Sequence, residues 1–120
     1  MPSRARFAEF VATVEAGRFV EAIERFYASN ATSQENLGLL TRGREAFADK
    51  ERAALERSGI ATVAGSVALL DGDRTAVNWR FEITGPNGVV RTLDEIAWQR
   101  WEGEHIVEER FYYDPAQLRG

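Results

Sequence analysis

Apolar residues recur at helical spacing twice near the start of the chain. Phe7, Phe10, Val11 and Val14 fall at i, i+3, i+4 and i+7, one stripe of an amphipathic helix. Ser3 is placed to cap it and Ala16-Gly17 to stop it. A second stripe, Phe19, Val20, Ile23, Phe26 and Tyr27, follows almost at once, so the spacing predicts two helices folded as a tight pair. A third helix is expected from about Arg44 to Arg57, ended by Ser58-Gly59. Its apolar positions are Phe47, Ala54 and Leu55, and its charged middle leaves only a narrow face to bury.

Beyond Gly59 the helical period disappears. Four runs, "IATVAGSVALL", "RTAVNWRFEIT", "VVRTLDEIAWQRW" and "HIVEERFYY", are rich in β-branched and aromatic residues. They are separated by Asp71-Gly72, Pro86-Asn87-Gly88 and Glu102-Gly103-Glu104, residues suited to tight hairpins. The pattern predicts an antiparallel four-stranded meander. Helices first and sheet after make an α+β fold, with three N-terminal helices packed in the concave face of a curved sheet. Long aromatic strands behind helices of modest apolar content leave two arrangements open: a partly filled hollow, where ligands bind, or a fully packed core.

Composition narrows the function classes. With 120 residues the chain is expected to form one domain, 1–120, around one core. A net charge of −4 argues against nucleic acid and anionic membrane surfaces as partners. No apolar run reaches the roughly 18 residues of a membrane-spanning helix, and the N-terminus lacks the apolar stretch of a signal peptide. A cytoplasmic location is therefore expected. Cysteine is absent and histidine occurs once, at His105 beside a Glu-Gly-Glu turn. Disulfides, thiol nucleophiles and multi-histidine metal sites are thus excluded, and neither a metal nor another cofactor is expected.

Three local features, in order, carry a resemblance. "VEAGRFVEAIERFYASNAT" contains a helix-Ala-Gly-helix entry, "TRGREAF" a Gly-Arg-Glu helix start, and "WEGEHIVEERFYYDP" a closing hairpin ending in Tyr-Asp. The chain resembles the SnoaL-like members of the nuclear transport factor 2-like superfamily, which share a cone-shaped, cystatin-like roll with ketosteroid isomerases and limonene-type epoxide hydrolases. The resemblance covers nearly the whole chain and implies a hydrophobic pocket and a homodimer.

It also gives a reading of "NATSQENLGLLTRGREAF", residues 30–47, which lies between segments that read as helices. Aligned through Gly43-Arg44-Glu45, the proton-moving acid of ketosteroid isomerases falls on Glu35, flanked by Gln34 and Asn36. The positions of that family's two oxyanion donors fall on Phe10 and about Ala97, neither of which donates a hydrogen bond. Losing one such donor typically costs about 100–1,000-fold, so the chain is not expected to be a true ketosteroid isomerase. The Asp–Arg–Asp relay of the epoxide hydrolases has no clean match.

Alternation along the strands supplies the rest of the candidate site. With Phe81 inward, so are Val77, Trp79 and Ile83; with Trp101 inward, so are Gln99, Ala97 and Glu95. In the last strand Val107, Phe111 and Tyr113 form the apolar set and draw Glu109 inward, unless a β-bulge changes the parity. The expected substrate-binding residues are Phe10, Trp79, Phe81, Gln99, Trp101, Phe111 and Tyr113, with Glu35 and Glu109 as catalytic carboxylates. Such a cup suits a small hydrophobic carbonyl, hydroxyl or epoxide compound, and burial would raise a carboxyl's pKa toward the range for acid–base work. Each acid also has a structural reading: Glu35 facing solvent, Glu109 in a cross-strand ion pair. Three functions stay open: an isomerase-, cyclase- or hydrolase-like enzyme, a non-catalytic ligand-binding module, and a dimerisation module with a filled core. Ile96, Trp98 and Tyr112 fall on the convex face, where homodimerisation would cover them.

Overall fold

Ser3 begins the fold. Its Oγ accepts a hydrogen bond from the Arg6 N–H at 3.0 Å and caps helix α1, Arg4–Glu15, in the computed structural model, which describes residues 1–119. α1 buries Phe7, Phe10, Thr13 and Val14, and the Ala16-Gly17 turn leads straight into α2, Phe19–Phe26. After the junction, α3 spans Arg44–Arg57 and buries only Phe47 and Ala48, as its narrow apolar face requires.

Tyr27 is not the end of a helix. It starts strand β1, Tyr27–Glu35, which pairs in parallel with the last strand over registers such as Ser33↔Glu109 and Glu35↔Phe111. A two-residue strand β2, Thr41–Arg42, pairs antiparallel with β1. Asn36 fastens the turn between them with a left-handed backbone (φ 51°) that asparagine tolerates. Its N–H donates to the Phe111 carbonyl at 2.7 Å, and its Oδ1 accepts from the Tyr113 N–H at 2.9 Å. Gly43, at φ 95°, turns the chain from β2 into α3, and its N–H donates to the Ala31 carbonyl.

The four runs beyond Gly59 are all extended, but the first is broken. β3, Gly59–Thr62, and β4, Val67–Asp71, both pair with β5, Arg74–Thr84. β6, Val90–Glu102, and β7, His105–Tyr112, complete a sheet of order β2-β1-β7-β6-β5-β3, with β4 also beside β5. The expected antiparallel meander of four strands is thus a mixed, curved sheet of seven. One of the three extra strands comes from the break in the first run; the other two, β1 and β2, come from a polar junction with no apolar alternation. Backbone pairing to a strand some 75 positions away along the chain holds β1, which in turn holds β2, and local pattern carries no sign of that. The α+β class and the helix-over-curved-sheet layering are as expected.

One parity also changes. Arg100 lies opposite Glu108 but Trp101 lies opposite Ile106, so Val107 is the extra residue of a bulge. Ile106 is therefore the fully buried member near the start of β7, and Val107 is only half-buried, in place of the inward Val107 that simple alternation gives. Beyond the bulge Glu109 and Phe111 follow the expected inner face.

The core sits toward the end of the sheet that carries Thr75 and Trp101. Phe10 is its centre, packing edge-on against Phe26, Tyr27, Trp79 and Trp101 with ring centroids 5.4–6.2 Å apart. Toward Phe81 and Leu93 the helices no longer fill the sheet's concavity, and a cavity opens there.

Candidate functional site

The cavity measures about 470 Å³, within the range of ligand sites, and lies between the three helices and the inner face of the sheet. Phe10 forms part of its floor, and Trp79, Phe81, Phe111 and Tyr113 line its sheet wall. Phe19, Ile23 and Phe47 close it from the helices. Four carboxylates also border it: Glu35, Glu51, Glu95 and Glu109. Its basic lining residues, Lys50 and Arg57, both belong to α3 and are exposed to solvent.

Glu109 is the best-held of the four acids. It is 5% exposed, and both its oxygens accept hydrogen bonds, one from the Tyr27 hydroxyl and one from Gln99 Nε2 at 2.7 Å. The network continues behind the wall. Thr75 Oγ1 donates to Gln99 Oε1 at 2.7 Å, and Trp101 Nε1 donates to Thr75 Oγ1 at 2.8 Å. Every polar atom along this chain of side chains has its partner, which orients Glu109 within an apolar wall. Burial pushes the Glu109 pKa up to about 7, while the Gln99 and Tyr27 hydrogen bonds pull it the other way. Burial and the neighbouring Glu109 hold the Tyr27 hydroxyl well above its ordinary range, so it remains a donor.

Glu95 stands in a different state. It is 7% exposed, borders the cavity, and its carboxyl has no hydrogen-bond or ion-pair partner among the described residues. Burial, then the charges of Glu109, Glu35 and Glu51, push its pKa up to about 8. Glu51 is raised chiefly by burial, and Tyr113 by burial and by Glu35.

Among the sequence-predicted residues, Phe10, Trp79, Phe81, Phe111, Tyr113, Glu35 and Glu109 all border the cavity. Gln99 and Trp101 do not. Gln99 is fully buried with its amide committed to Thr75 and Glu109, and Trp101 is packed against Phe7 and Phe10 at the closed end. They support the wall from behind and do not line the cavity. Glu35 sits at the mouth, about half exposed, with Lys50 Nζ 3.7 Å away. Glu109 faces the interior; the cross-strand ion pair joins its neighbour Glu108 to Arg100.

Glu95 is not among the expected site residues, although alternation from Trp101 turns it inward. Tyr27 was hidden by its helical spacing. Glu51 lies in the charged middle of α3, where nothing in the pattern sets it apart.

The architecture defines a class: a cone-shaped α+β pocket fold of the nuclear transport factor 2 and ketosteroid isomerase type. Within that class the chain belongs to the SnoaL-like domain family, whose sequence model matches residues 7–109. No curated protein is similar to it in sequence. A candidate SnoaL-like polyketide cyclase from Mesorhizobium loti is similar in structure, with 25% identity, a TM-score of 0.79, and coverage of 94% of this chain and 100% of that one. A candidate polyketide cyclase from Pseudomonas putida shares the fold at 16% identity and a TM-score of 0.83, covering 98% of this chain and 96% of that one. A protein with a ketosteroid isomerase-like fold from Catenulispora acidiphila, solved in complex with trimethylamine, shares it at 17% identity and a TM-score of 0.78, covering 92% of this chain and 88% of that one. No helix among the described residues is long and apolar enough to cross a membrane.

Proposed function

We propose that the chain is a small-molecule enzyme of the SnoaL-like type in which Glu109 moves a proton on a small hydrophobic carbonyl, hydroxyl or epoxide compound. One observation carries this reading: a carboxyl at the wall of an aromatic cavity, fixed by two donors, with its pKa brought to about 7. Near neutral pH such a group is present in both its accepting and donating forms. Glu109 would take a proton from the carbon beside a carbonyl and return it to the resulting enolate. Glu35, paired with Lys50 at the mouth, is better placed to govern entry than to reach the reacting atom. The trimethylamine held by the Catenulispora acidiphila protein supports small molecules as occupants of this fold.

The test is hydrogen–deuterium exchange of small cyclic ketones in D₂O, followed by NMR. Wild-type chain is expected to accelerate exchange, and Glu109→Gln to lose about 100-fold of that acceleration. Equal rates from the two proteins would remove Glu109 from the chemistry. A second reading, a non-catalytic binding module, draws on the same hydrogen bonds. Tyr27 and Gln99 already engage both Glu109 oxygens, and in that case ligands bind without turnover.

The reading includes a cytoplasmic homodimer joined through the convex sheet face. Across that face Val67, Asn78, Ile96 and Tyr112 form one cross-strand row, and Val67, Ile96 and Tyr112 are 62%, 43% and 44% exposed. Light scattering is expected to give a dimer for the wild type and a monomer for Ile96→Arg combined with Tyr112→Arg. A wild-type monomer at tens of micromolar would overturn it.

A further inference from the structure

The cavity combines two features that a purely apolar ligand would leave unused. Its wall is aromatic, yet a carboxyl without any protein partner is buried in it. Glu95 lies directly across the β5–β6 ladder from Trp79. Tyr113 follows the Ile96–Tyr112 pair and so falls on the other flank of Glu95. The cavity wall thus reads ring, carboxyl, ring from β5 across β6 to the residue that follows β7. Ring faces and a carboxylate attract the same kind of group, a positive charge of low hydration. We infer that the cavity receives an organic cation, an ammonium-bearing compound with an apolar body, whose charge sits against the Glu95 carboxyl between the Trp79 and Tyr113 rings. The inference rests on the reading of the chain as a small-molecule pocket protein and names the chemical class of the molecule it takes.

The groups around Glu95 agree with this assignment. β7 presents Glu109 and the residue just past its end, Tyr113; β1 presents Tyr27 and Glu35, and α3 presents Glu51, Lys50 and Arg57. Lys50 is matched to Glu35 at the entrance, and no basic residue pairs with Glu95, Glu51 or Glu109 among the described residues. A neutral ligand would leave the carboxyls crowded together, each raising its neighbours' protonation. A cation supplies the charge that this wall lacks. It would also convert Glu95 from its protonated to its ionised form, so binding should release a proton and strengthen as pH rises.

Choline and its uncharged carbon isostere, 3,3-dimethylbutan-1-ol, separate charge from shape. Tryptophan fluorescence and calorimetry at pH 8.5 are expected to show choline binding at least tenfold more tightly than the isostere. Choline should bind more weakly at pH 5.5, and at pH 7.5 it should release a proton, seen as a dependence of the heat on the buffer. Glu95→Gln, checked for folding by near-UV circular dichroism, should abolish the preference while the isostere's affinity stays unchanged. If the isostere binds as tightly as choline, or Glu95→Gln keeps the preference, the cation assignment fails and the pocket reading stands. If choline, the isostere and phenol all fail to bind, both fail.

Discussion

Replacing Phe10 with alanine is expected to destabilise the chain by about 3–5 kcal/mol, read as a lowered urea midpoint at unchanged m-value. The magnitude follows from what the ring touches. Phe10 is 1% exposed and packs edge-on against Phe26, Tyr27, Trp79 and Trp101, so α1, α2 and three strands meet on one side chain. Truncation removes its apolar burial and leaves a void that four rigid rings are poorly able to fill. The void would adjoin the existing cavity, which limits collapse still further because that side offers no atoms to move inward. Phe10→Leu keeps most of the volume and should cost less than half as much. A loss under about 1 kcal/mol for Phe10→Ala would mean that the ring is not the keystone of the helix–sheet junction.

Phe10 also shows how far the sequence could be read. Its helical spacing with Phe7, Val11 and Val14 located α1, and Ser3 marked the helix start. The hairpin glycines located β5, β6 and β7. Such features are local: each depends on residues a few positions apart. β1 was misread because its partner, β7, lies far along the chain and its own residues carry neither apolar alternation nor a turn signal. The candidate site divides along the same line. Trp79, Phe81, Phe111 and Glu109 were legible from strand alternation, which is a period of two. Gln99 and Trp101 share that parity but stand at the closed end, and alternation says which face a residue takes without saying how far along the hollow it lies. The Val107 bulge then shifted one parity that alternation alone would have kept.

Stability should fall as pH rises from about 5 to 8, the reverse of ordinary acid denaturation, and Glu95→Gln should remove the larger share of that fall. The sign follows from linkage. Glu95 has an ordinary pKa of 4.5 when the chain is unfolded and about 8 when it is folded. Between those values the folded chain keeps a proton that the unfolded chain has released, so each pH unit costs about 1.4 kcal/mol of folding free energy. The contribution is fully present below pH 4.5, is lost as pH rises toward 8, and does not change beyond, a total on the order of 4–5 kcal/mol. Glu109, at about 7, acts in the same direction over a shorter range. Urea titrations at pH 5, 7 and 8.5 measure the slope. Glu95→Gln should lie within about 1 kcal/mol of the wild type at pH 5, where most of the contribution is still present, and exceed it at pH 8.5, where only the wild type must bury a charge. Parallel curves for the two proteins would show that Glu95 titrates normally and that its carboxyl reaches water. Glu95 is a cleaner probe than Glu109. Changing Glu109 also disrupts hydrogen bonds from Tyr27 and Gln99, whereas Glu95 has no such partner, so its substitution alters little besides the charge.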